Sequence, residues 1–156
     1  MKHLRVGDKA PAFSSKNQFN EEVNLHDFKG KKVVIYFYPK DNTPGCTTQA
    51  CNIRDNYDLL KNEGIVVLGV SADTAKAHEK FITKFELPFP LLADVDKELI
   101  NLYGVWGEKK FMGKIYDGIH RTTFLLNEEH TIVGIIEKPK TKKHAEEILE
   151  IYSTHQ

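Results

Sequence analysis

Val33-Val34-Ile35-Tyr36-Phe37-Tyr38-Pro39-Lys40-Asp41-Asn42-Thr43-Pro44-Gly45-Cys46-Thr47-Thr48-Gln49-Ala50-Cys51 contains both cysteines of this 156-residue chain. Its first six residues are apolar, β-branched or aromatic, the signature of a short buried strand. Pro39, Pro44 and Gly45 mark a loop. A helical pattern follows and continues to about Glu63, with Gly64 suited to end it. Cys46 then falls in the first turn of that helix. Free N–H groups and the positive dipole end stabilise an anion there, so a thiol at this place is expected to ionise more easily than a free cysteine. Cys46, Ala50, Ile53, Tyr57 and Leu60 are spaced 4, 3, 4, 3 and share one helix face, which turns Cys46 toward the core. Cys51 lies roughly 140° around the helix and about 7.5 Å further along it. The two Cα atoms are then roughly 8–9 Å apart, beyond the ~7 Å a disulfide can span. The sulfurs can join only if the first turns unwind.

Working outward, Phe13 to Ser15 pair near Val23 to Leu25 in a small N-terminal hairpin. Ile65-Val66-Val67-Leu68-Gly69-Val70 reads as a doubly buried strand, as in parallel sheets. Asp73 can cap a helix to Phe85, with Ala77, Phe81, Ile82 and Phe85 inward. Leu91–Ala93 is a short strand. Asp94 can cap a helix with Val95, Leu99, Leu102 and Tyr103 inward, ended by Gly104. Trp106 to Asp117 is polar with scattered aromatics and reads as a loop. Arg121–Leu126 and Thr131–Glu137 form an antiparallel hairpin, and Ala145, Ile148, Leu149 and Tyr152 mark the face of a last helix. This order of elements predicts an α/β sandwich on a central mixed sheet in a single domain, 1–156.

Apolar residues make up 40% and charged residues 28%, ordinary values for a soluble globular protein. Lysine plus arginine and aspartate plus glutamate both number 22, and this zero net charge speaks against nucleic-acid or membrane binding. The start, Met1 to Asp8, has no apolar core of a signal peptide, and no run has the length of a membrane span. Two cysteines without such a signal point to a reducing cytoplasm, where thiols are catalytic or redox-sensing more often than structural. The seven histidines are scattered without metal spacing, and two cysteines cannot complete a zinc site.

Pro39, Thr43 and Cys46 stand as P-x-x-x-T-x-x-C, which resembles the active-site signature of peroxiredoxins. A cysteine five positions on is similar to the bacterioferritin comigratory protein, or peroxiredoxin Q, subgroup. Tyr103 to Lys110 and Gly118 to Leu125 look like further stretches of that subgroup, so the resemblance covers nearly the whole chain. It implies a thioredoxin-like fold and a thiol peroxidase acting on hydrogen peroxide and alkyl hydroperoxides. It also implies a sulfenic acid at Cys46, an intramolecular disulfide with Cys51, and recycling by thioredoxin or a similar dithiol. Arg121 matches the family arginine that contacts sulfur and peroxide. Thr43 and the N–H groups of Gly45 and Cys46 are the expected donors to peroxide, and Pro39 and Pro44 fix the loop. No metal, flavin or haem is needed, because sulfur carries both electrons.

The chemistry needs more than an acidic thiol. A thiol of pKa ~8.5 is only about 3% ionised at neutral pH, so complete ionisation gains roughly thirty-fold. Part of that is returned, because nucleophilicity falls with pKa. The remainder must come from positioning the peroxide and stabilising its leaving oxygen. No cysteine follows Cys51, which excludes a resolving cysteine in a C-terminal arm. The Gly-Gly-Leu-Gly segment and Tyr-Phe tail linked to over-oxidation are absent too, so comparative resistance and a monomer are expected. Gln49 stands where many peroxiredoxins carry glutamate. Two other readings stay open: a peroxide sensor or holdase that does not turn over, and a disulfide oxidoreductase, disfavoured because that chemistry uses C-x-x-C.

Overall fold

The computed structural model describes residues 3–155. A hairpin of β1 (Ser14–Lys16) and β2 (Glu22–Asn24) leads through a 3-10 turn, Leu25–Phe28, into β3 (Lys32–Phe37). Then come α1 (Pro44–Asp55), α2 (Tyr57–Asn62), β4 (Ile65–Ser71), α3 (Ala75–Phe85), β5 (Leu91–Ala93) and α4 (Glu98–Leu102). The chain continues with β6 (Trp106–Phe111), β7 (Lys114–Ile119), β8 (Thr122–Leu126), β9 (Ile132–Glu137) and α5 (His144–Ser153). The central sheet has the order β5-β4-β3-β8-β9. Strands β3, β4 and β5 run parallel, whereas β8 is antiparallel to both β3 and β9. This is the mixed α/β arrangement that the order of elements predicts.

Strand β3 is central and buried on both faces. Val33, Ile35 and Phe37 enter one core with α4, while Val34, Tyr36 and Tyr38 enter the other with α1 and α5. The alternation puts the end of β3 under the cysteine helix. Gly69 on β4 is required beneath it: a Cβ there would lie 2.6 Å from a Leu91 methyl and 2.9 Å from the Tyr36 ring.

Several boundaries differ from the sequence reading. The helix expected from Cys46 to Glu63 is two helices, broken at Asn56 (φ −114, ψ 14). There the side chain donates to the carbonyl of Asn52 at 2.8 Å, competing with the helical ladder. Thr74, not Asp73, caps α3, its hydroxyl accepting from the Ala77 N–H at 3.1 Å. Asp94 does receive the N–H groups of Leu99 and Ile100, at 3.2 and 2.7 Å. However, α4 begins only at Glu98, after Lys97 in the left-handed region. That shift leaves Val95 and Leu102 exposed and turns Leu99, Ile100 and Tyr103 inward.

The segment read as a loop from Trp106 to Asp117 is a regular antiparallel hairpin, β6 with β7. Its Met112-Gly113 turn has φ of 51° and 80°, the left-handed pair that a two-residue hairpin turn needs. Most of both strands is exposed, so no apolar alternation announces them.

Candidate active site

Helix α1 starts with Pro44 at its first position, and Thr43 precedes it in extended backbone (φ −97, ψ 156). Proline suits that place because its missing N–H would be unpaired anyway. Cys46 is therefore the third helical residue, at the dipole's positive end. No side chain caps this end. By helix geometry the N–H groups of Gly45 and Cys46 have no carbonyl partner within the helix and remain available as donors. The Cys46 side chain is turned inward, 2% exposed, with Ala50 and Ile53 behind it on the same face, as the spacing requires.

Arg121, immediately before β8, reaches across to this helix. One terminal nitrogen donates to Cys46 Sγ at 3.2 Å and the other to Gln49 Oε1 at 2.6 Å. The guanidinium fork is thus held at both tips, with the sulfur as one acceptor. Gln49 is fully buried, and its Nε2 has no partner among the described residues. A neutral amide in this position fixes Arg121 without neutralising its charge. Gly45 leaves room for the contact, because a Cβ there would lie 3.3 Å from the guanidinium.

Thr43 corrects one expectation. Its hydroxyl donates to the carbonyl of Lys40 at 2.9 Å, closing the 40–43 turn. Its single proton is committed there, so in this state the oxygen presents lone pairs rather than a donor. Pro39 stands at the start of the loop, half buried. The hairpin missed by the sequence reading supplies a second cation: Lys109 donates to the carbonyl of Ile119 at 2.9 Å. Burial and then the nearby Arg121 push the Lys109 ammonium below its ordinary value, while Cys46 opposes that shift. Beyond Arg121 opens a cleft of about 600 Å³, with Tyr103, Val105 and Phe124 on its wall and Lys109 and His120 at its side.

Cys51 is half buried on the flank of α1, beside Thr47, Asn52 and Lys142, and both cysteines are free thiols. The polar residues of the segment that must unwind, Thr47, Thr48, Gln49 and Asn52, divide into two groups. Asn52 is an anchor: its Nδ2 donates to the Lys142 carbonyl at 2.9 Å, and its Oδ1 accepts from the Ala145 N–H at 2.7 Å. Gln49 is another, through Arg121. Thr47 and Thr48 are half exposed and bonded within the first turn, the Thr47 backbone N–H donating to the Thr43 carbonyl and the Thr48 hydroxyl to that of Pro44.

Among the described residues, one group of three side chains has metal-ligand spacing: Asp41, Asp73 and His78. Its atoms already satisfy one another, with His78 Nδ1 2.6 Å from Asp41 Oδ2 and Asp73 Oδ2 accepting from Ser71 Oγ at 2.6 Å. The cluster reads as protein structure rather than as an ion site. The sequence reading missed it because it treated every histidine as isolated. A signal was present, since His78 lies on the inward face of α3 with Phe81, Ile82 and Phe85.

The fold and a cysteine paired with arginine at a helix start define a class. The AhpC/TSA family profile matches residues 6–135. The putative peroxiredoxin Bcp of Haemophilus influenzae is 54% identical over 150 residues, 96% of this chain and 97% of that protein. A cysteine mutant of Xylella fastidiosa PrxQ superposes with a TM-score of 0.91 at 33% identity, covering 99% of both chains. The Xanthomonas campestris bacterioferritin comigratory protein, described by its alkyl peroxide reduction activity, gives 0.88 at 34% identity over 97% of this chain and 99% of its own. The chain belongs to the AhpC/TSA family, among the peroxiredoxins of the Bcp and PrxQ kind, and its α/β layers are their thioredoxin-like fold.

Proposed function

We propose that this thiol peroxidase reduces hydrogen peroxide and alkyl hydroperoxides at Cys46. The observation that carries the reading is the Arg121 guanidinium 3.2 Å from Cys46 Sγ at an uncapped helix start. The sulfur attacks the nearer peroxide oxygen as the O–O bond breaks. The farther oxygen leaves as water or alcohol with a proton, and sulfur becomes a sulfenic acid. The Gly45 and Cys46 N–H groups and Arg121 stabilise the charge that builds on the oxygens. Pro39 and Pro44 hold the loop, and Thr43 Oγ1 accepts a hydrogen bond from the peroxide O–H.

Cys51 then attacks the Cys46 sulfur. An S–S bond forms, the S–O bond breaks, and hydroxyl leaves as water with the Cys51 proton. Both cysteines are on one helix, so no second chain is required, and a monomer suffices. A dithiol of the thioredoxin class reopens the disulfide by exchange. Among the described residues no helix is long and apolar enough to cross a membrane, which fits work beside such reductants in the cytoplasm.

The test is peroxide consumption with thioredoxin, thioredoxin reductase and reduced nicotinamide cofactor. Many turnovers per chain are expected. A single oxidation per chain in the presence of the full reducing system would instead support the sensor reading.

A further inference from the structure

The segment that must unwind for Cys46 and Cys51 to meet is bracketed by two fixed points. Downstream, Asn52 is tied to the start of α5. Upstream, Asp41 is gripped from several directions. Its Oδ1 accepts from the Tyr38 hydroxyl at 2.5 Å, and its Oδ2 lies 2.6 Å from His78 Nδ1. Its backbone N–H donates to Asp73 Oδ2 at 2.8 Å. Asn42 follows in the left-handed region (φ 59), with its Oδ1 taken by Lys84 of α3 at 3.4 Å.

The proton count at this point is fixed by chemistry. His78 is fully buried, and its Nε2 lies 2.9 Å from the Leu92 carbonyl. A carbonyl only accepts, so Nε2 carries a hydrogen. Nδ1 and Asp41 Oδ2 can then hold their short contact only with one proton between them, whichever atom owns it. Tyr38, just beyond β3, and His78 of α3 thus converge on the Asp41 carboxylate, while Asp73, just beyond β4, holds the backbone N–H of the same residue. Mechanical continuity to the cysteine is direct: Asp41, the 40–43 turn closed by Thr43, and the Thr43 carbonyl accepting the Thr47 N–H at 2.8 Å.

We propose that His78 is a positioning residue: through the proton it shares with Asp41 it clamps the 39–43 loop, and with it the first turn of α1, in the peroxide-reactive form. Clamp release governs how fast the disulfide forms. The clamp favours the first step and restrains the second, so its strength sets the balance between them. This rests on the peroxidase reading above.

The experiment measures two rates after rapid mixing with hydrogen peroxide: sulfenic acid formation at Cys46 in a Cys51→Ser background, and disulfide formation in the chain with both cysteines. His78→Ala and Tyr38→Phe each remove a partner of the Asp41 carboxylate. In His78→Ala the ratio of the second rate to the first is expected to rise by about ten-fold or more, the scale of losing a hydrogen bond to a charged group. Tyr38→Phe keeps the ring's packing and should move the ratio in the same direction by a smaller factor, which covers the case that His78→Ala does not fold. Asp41→Asn can still accept from Tyr38 and donate to Nδ1, so it should stay within about three-fold of the parent. A ratio unchanged in His78→Ala and Tyr38→Phe, or both steps slowed equally, would overturn the clamp. Absence of sulfenic acid in the Cys51→Ser chain with His78 and Tyr38 intact would instead overturn the peroxidase reading itself.

Discussion

Cys46→Ser is expected to abolish peroxide turnover while leaving the fold intact. Serine is nearly isosteric with cysteine, and Cys46 is buried among Ala50 and Ile53, so packing changes little. The chemistry has no substitute: a serine hydroxyl is barely ionised near neutrality, and oxygen cannot climb the oxidation ladder of sulfur. Loss of a nucleophile of this kind leaves only background reaction, a fall of roughly 10³-fold or more. The check is peroxide consumption alongside a thermal unfolding curve. Full activity in the variant would remove Cys46 from the reaction, and a collapsed unfolding midpoint would mean that the loss was structural.

Arg121→Gln is the second large effect. The arginine offers separate nitrogens to Cys46 Sγ and Gln49 Oε1, at 3.2 and 2.6 Å. Removing one preorganised donor to developing charge costs on the order of 10²–10³ in rate, about 3–4 kcal/mol. Arg121→Lys should fall between, because an ammonium keeps the charge but cannot span the sulfur and the amide with a rigid fork. The comparison separates charge from geometry. Equal losses in both variants would say that the fork matters, whereas near-full activity in Arg121→Lys would say that only the charge does.

Part of this site is legible in the sequence alone. Cys46 was placed in the first helical turn because Pro44 and Gly45 read as the loop before it, although both are the first residues of α1, and its inward direction came from the spacing to Ala50 and Ile53. Such signals are local, fixed by backbone chemistry and the helical period. The pairing of Arg121 with Cys46 joins residues 75 apart, and no periodicity contains it; only resemblance pointed there. The break at Asn56 and the committed Thr43 hydroxyl turn on single hydrogen bonds that compete with the expected ones. The β6–β7 hairpin escaped because most of both strands is exposed and shows no apolar alternation, and its turn uses Met112-Gly113 rather than the commoner Asn-Gly. The Asp41–His78 pair was hidden because it needs the loop, α3 and β5 in register at once.

The most direct test of the account is where the oxygen goes. In Cys51→Ser, one equivalent of hydrogen peroxide followed by a diketone that reacts only with sulfenic acids should yield one adduct per chain, mapped by mass spectrometry to Cys46. Peroxide consumed with Cys46 unmodified, or an adduct on any other residue, would contradict it.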